Sequence, residues 1–113
     1  MAEAPSAADL ALLDPDGTFA LRLIRDRATL SDLADALEPS APNSDRLAAL
    51  ELLAHRLAGA AGTFGHAAVS AAAIGLEEQM AGLRNGTGNR QDATRALATL
   101  LGALDRAISV VRQ

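Results

Sequence analysis

Apolar residues recur at alternating steps of three and four along this chain, and nearly all of them are Leu or Ala. The clearest run is Val69, Ala73, Leu76, Met80 and Leu83, spaced 4, 3, 4, 3. Such a seam is the narrow apolar stripe of a helix packed in a bundle. The 113 residues include 27 Ala and 19 Leu, while Val, Ile, Thr and aromatic residues are few. Unbranched side chains lose little rotamer freedom in a helix, and the residues that favour strands are scarce. The expected fold is therefore all-α, and the length allows one domain with a single modest core.

Punctuation along the chain divides it. Residues 1–5 read as a flexible end, and residues 6–113 as one bundle domain. Ser6 and Asp9 resemble a capping box opening a short helix through about Leu13. Asp14-Pro15-Asp16-Gly17 is a turn by composition. Helical spacing of Phe19, Leu23, Leu30, Leu33, Ala34 and Leu37 predicts a helix from Thr18 to about Glu38, ended by Pro39. Residues 40–43 form a linker, and a second long helix starts near Ser44 as N-cap and runs to about Thr63, with a break at Phe64-Gly65. The third helix carries the seam, Arg84 to Arg90 is a loop, and the last helix spans about Gln91 to Val111. Four long amphipathic helices on short connections predict an antiparallel four-helix bundle with a short extra N-terminal helix.

Several functions are excluded by what is missing. All ten basic residues are Arg, so there is no Lys for a P-loop or a Schiff base. No Cys means no disulfide, Cys-ligated zinc or iron–sulfur cluster. A net charge of −4 and the absence of Trp and Tyr argue against nucleic acid as a partner. Charges or glycines interrupt every apolar run, which argues against a membrane span. The first residues lack the charged and apolar regions of a signal peptide, so a cytoplasmic location is expected.

The second long helix is the informative one. At about 100° per residue, Leu47, Leu50, Leu53, Ala54, Leu57, Ala61 and Phe64 share one side, the core face. His55 lies about 130° from the centre of that face, with Ala48, Leu52, Gly59 and Gly62 on the same outward side. Each glycine costs roughly 1 kcal/mol relative to Ala in a helix interior. Two readings account for them. Gly59 and Gly62 leave a bare surface on which another protein approaches the His55 ring, with Leu52 adding an apolar contact; or they are close-packing points against a neighbouring helix. An exposed, mostly neutral imidazole suits nucleophilic chemistry. Nothing nearby forms a catalytic set, and His66 reads as a turn or capping residue. A nucleophile without apparatus should receive something already activated.

Glu77 belongs beside it. His55 is ten residues before Gly65 and Glu77 twelve after, so the two stand within about one turn of the same height if the chain reverses there. Glu77 sits at the margin of the seam, placed either to accept a hydrogen bond from the imidazole or to remain a solvated carboxylate.

These residues resemble a known family. Ala54-His55-x-Leu57-x-Gly59, then Gly65, Val69, Ala73 and Leu76-Glu77, looks like the signature of the histidine phosphotransfer (HPt) domain. The resemblance covers about Leu47 to Leu83. It implies a phosphorelay protein that takes a phosphoryl group from a receiver-domain aspartyl phosphate onto His55 and passes it to another receiver Asp. Glu77 would orient the imidazole, and Leu52, Gly59 and Gly62 would meet the partner. It implies no cofactor or metal of its own, Mg²⁺ being supplied by the receiver. The implied partners are receiver domains and a hybrid sensor histidine kinase, with no nucleic acid or membrane, and the bundle is expected to be a monomer. One position departs from the family: its Lys three residues after the His is Ala58 here. Arg56 is the local cation, either compensating at the phosphoryl group or standing as a solvated charge. Ala58 also keeps a second function in view, a degenerate HPt domain that docks receivers without carrying phosphate.

Overall fold

The structure, a computed structural model, describes residues 6–38 and 44–112. Helix α1 spans Ala7–Leu13, α2 Thr18–Leu33, α3 Ser44–Thr63, α4 Ala67–Asn85 and α5 Arg90–Val111; no strand occurs among the described residues. The four long helices form an antiparallel bundle and α1 closes one end of it. Leu23, Leu30, Leu50, Leu57, Leu76, Leu100, Leu104 and Val69 are the largest fully buried side chains. The periodicity of Leu and Ala has become this shared core.

Local chemistry sets the first connection. Ser6 and Asp9 make the reciprocal capping box, the Asp9 amide donating to Ser6 Oγ at 3.1 Å and the Ser6 amide to Asp9 Oδ2 at 3.2 Å. After the turn, the Asp14 carboxylate accepts from the amides of Phe19 and Ala20 at 3.1 and 2.9 Å. A carboxylate there satisfies donors that the first turn of α2 leaves without partners and complements its positive end.

The chain departs from the expected boundaries in two places. The helix expected to continue to Glu38 leaves α geometry at Leu33 and tightens into a 3₁₀ turn over Ala34–Leu37. Glu38 is extended, as the residue before a proline prefers. The tighter turn buries Ala36 and Leu37, and Arg90 Nη1 donates to the Ala36 carbonyl at 3.1 Å. The loop expected at 84–90 is shorter, because Arg84 and Asn85 remain in α4 and Arg90 begins α5. Gly86 ends α4 at φ +76, and the amides of Thr87 and Gly88 both donate to the Gly82 carbonyl, at 2.9 and 3.0 Å. Asn89 then caps α5, accepting from the Asp92 amide at 2.8 Å. Ser44, expected as a cap, is the first helical residue of α3. The expected linker at 40–43 and flexible end at 1–5 lie outside the described residues.

The reversal between α3 and α4 positions the site. The His66 amide donates to the Ala61 carbonyl at 2.8 Å, and Gly65 takes φ +87, a left-handed helix end that a residue with a Cβ resists. A Cβ at Gly65 would also lie 2.7 Å from Leu13 Cδ1, so α1 rests directly on this corner. Beneath it, Phe19 and Phe64 stack with ring centroids 4.4 Å apart.

His66 occupies the turn, as its spacing suggested, but its side chain makes no cap bond. It is buried instead, with its ring 5.7 Å from that of Phe19. Burial pushes the imidazole pKa below its ordinary value, and the nearby Asp14 carboxylate offsets this in part. The unfolded chain therefore binds the proton more readily than the folded one. Stability from this group is complete above the unfolded pKa, near 6.5, and is lost as pH falls through the lower folded value. Urea midpoints should drop between pH 7.5 and pH 5, and His66→Phe should flatten that part of the profile. An unchanged slope in the variant would assign the acid sensitivity to other groups.

Candidate functional site

The α3 helix presents to α4 a row of residues one turn apart, and each meets a partner in antiparallel register. Glu51 accepts from Arg84, His55 contacts Glu77, and the Ala58 carbonyl accepts from Ser70 Oγ at 2.6 Å. The core face behind this row holds Leu50, Ala54, Leu57 and Ala61, all fully buried. Leu47, Leu53 and Phe64 are partly buried. Ala58 is also buried, at 9% exposure, because its side of α3 packs against α4.

His55 stands out from this packing, with its side chain 68% exposed. Its Nδ1 lies 2.6 Å from Glu77 Oε2. An ionised carboxylate only accepts, and opposite one the contact selects the tautomer that carries its proton on Nδ1. Glu77 is the more covered partner, its side chain 32% exposed.

The surface around the ring is low and partly apolar. Leu52 precedes His55 by one turn of α3 and is 48% exposed. A Cβ on Gly59 would meet nothing within 4 Å, whereas one on Gly62 would lie 3.3 Å from Ser70 Oγ. Gly59 thus opens the surface, and Gly62 lies against α4. Arg56 is exposed and forms no ion pair among the described residues.

Two features of the site were not read from the sequence. Ile74 on α4, 45% exposed, precedes Glu77 by three residues as Leu52 precedes His55. The pairing of Glu51 with Arg84 extends the row by one turn. The first carried a signal, an Ile off the Val69–Leu83 seam. The second depends on interhelical register.

The arrangement offers one exposed imidazole, a carboxylate in contact with it, and no group of three or more metal-ligating side chains among the described residues. No helix among them is long and apolar enough to cross a membrane. The family model of the Hpt domain matches residues 24–113, most of the chain. This protein belongs to the Hpt domain family, whose members serve phosphotransfer in phosphorelay signalling and interact with receiver domains. Neither the curated proteins nor the solved structures hold a match to it.

Proposed function

We propose that this protein is a cytoplasmic, monomeric phosphorelay intermediate in which His55 takes a phosphoryl group from the aspartyl phosphate of one receiver domain and passes it to the Asp of another. The observation that carries this reading is the 2.6 Å contact between His55 Nδ1 and Glu77 on an otherwise exposed ring. With the proton held on Nδ1, the Nε2 lone pair forms the new P–N bond as the P–O bond to the receiver Asp breaks. The Asp carboxylate leaves with its electron pair. Positive charge that develops on the ring is met by Glu77, a charge-assisted hydrogen bond stronger than a neutral one. Return transfer to a second receiver reverses these steps.

The receiver brings its own Asp and Mg²⁺, and a hybrid sensor histidine kinase stands upstream. The carrier's task is positioning, which dominates phosphoryl transfer. Leu52 and Gly59, with Ile74 across the groove, form the face against which the receiver closes; Gly62 supports it from the α3–α4 contact.

The test incubates the protein with a panel of phosphorylated receiver domains and follows acid-labile label. Wild type should acquire label and His55→Gln none, with unchanged helicity. Receiver binding without label in the wild type would favour the second function, an adaptor that docks receivers and carries no phosphate.

A further inference from the structure

Phosphorylation of His55 would set a large negative charge into a row that is already acidic. A phosphoryl group carries roughly −1.5 to −2 at neutral pH. Glu77 touches the same ring, and Glu51 lies one turn earlier on the same side of α3, roughly 5–6 Å away between Cβ atoms. Position 58, the next turn, holds an alanine. The cation bonded into this row is Arg84, whose Nη1 donates to the Glu51 carboxylate.

Several observations make Arg84 movable and within reach. Its side chain is 59% exposed, against 23% for Glu51, so the guanidinium lies at the rim of the groove. Side chains lean toward the N-terminus of their own helix. Arg84, near the C-terminal end of α4, therefore leans along the groove toward Glu77. His55 leans the other way along antiparallel α3, toward Glu51. Arg56, by contrast, is on the side of α3 turned away from this row, whose partners Arg84, Glu77 and Ser70 all belong to α4.

We propose that Arg84 is the charge partner of phosphorylated His55: held by Glu51 in the resting protein, it shifts one turn along the groove to pair with the phosphoryl oxygens. This deepens the phosphotransfer reading and rests on it. Arg84 acts here as a positioning residue, and no bond other than its hydrogen bonds changes. A guanidinium matches three phosphoryl oxygens better than one carboxylate, through paired N–H donors. Glu51 thus keeps the cation close without blocking Nε2 before transfer.

The test needs no protein partner. Phosphoramidate phosphorylates exposed imidazoles: its P–N bond breaks as the P–Nε2 bond forms, ammonia leaves, and the Nδ1 proton stays on the ring beside Glu77. The proton affinity of the attached phosphoryl group is then read by ³¹P NMR titration at low salt. Arg84→Ala should raise that affinity by about two- to fivefold, the range for an exposed ion pair, and Arg84→Lys should restore most of the difference. Glu51→Gln, which breaks the same ion pair but frees the guanidinium, should lower it. Loss of the Glu51 carboxylate also lowers it through space, so Glu51→Gln is repeated in the Arg84→Ala background, where the lowering should shrink; an undiminished lowering there would overturn the proposal. So would a wild-type titration in Arg84→Ala, a shift produced by Arg56→Ala in its place, or no label at His55. Because the donor is a small molecule, a failure of receiver transfer leaves this result readable, and the two readings fail separately.

Discussion

Leu57→Ala is expected to lower the unfolding free energy by about 3–5 kcal/mol, a large part of the roughly 5–15 kcal/mol that holds a domain of this size together. Leu57 is fully buried, near the middle of α3, with Ala54 and Ala61 fully buried one turn to either side. Those neighbours are too short to fill the space a truncated side chain leaves. The chain's two phenylalanines stack at the far end beside α1, so relaxation around position 57 falls to other leucines of the core. Urea unfolding followed by circular dichroism measures the change. A loss below about 1 kcal/mol would show that the site collapses freely and that the bundle is looser than its packing implies.

The second large effect is on binding and leaves the fold intact. Gly59→Gln should weaken receiver binding by at least about tenfold, roughly 1.4 kcal/mol, while the melting temperature stays level or rises. A Cβ at Gly59 meets nothing within 4 Å, so a glutamine fits without strain in the free protein. Replacing a helix-interior glycine gains roughly 0.5–1 kcal/mol of helix propensity. The same side chain stands one turn beyond His55 on the face where a receiver would close. Titration with a phosphorylated or unphosphorylated receiver, beside a thermal melt, separates the two effects. Undiminished binding would move the docking face elsewhere. Gly62 would make a poor substitute for this test, since a Cβ there presses on Ser70.

The parts of this molecule legible in its sequence are those governed by periodicity within one helix. The outward direction of His55, the burial of Leu50, Ala54, Leu57 and Ala61, and the seam from Val69 to Met80 all follow from a step of about 100° per residue. The common height of His55 and Glu77 needed one addition, a chain reversal at Gly65. Features set between elements stayed hidden. The 3₁₀ turn over Ala34–Leu37 arises where a coming proline and the burial of Ala36 and Leu37 act together. Retention of Arg84 and Asn85 in α4 depends on the Gly86 helix end and the double use of the Gly82 carbonyl. The burial of His66 depends on α1, a seven-residue helix too short for its apolar pattern to reveal what it covers. The pairing of Glu51 with Arg84, and of Ser70 with the Ala58 carbonyl, is a matter of interhelical register, about which a helical wheel is silent.

The hydrogen bond between His55 and Glu77 has a kinetic consequence under the proposed transfer. It commits Nδ1 and leaves Nε2 as the ring's one doorway, so the phosphoryl group must arrive and depart by the same path. Donor and acceptor receivers then compete for a single berth, and the relay runs as a ping-pong exchange in which no ternary complex forms. Flux through such a carrier peaks when the two receivers are balanced, and a surplus of either one, phosphorylated or not, slows traffic in both directions.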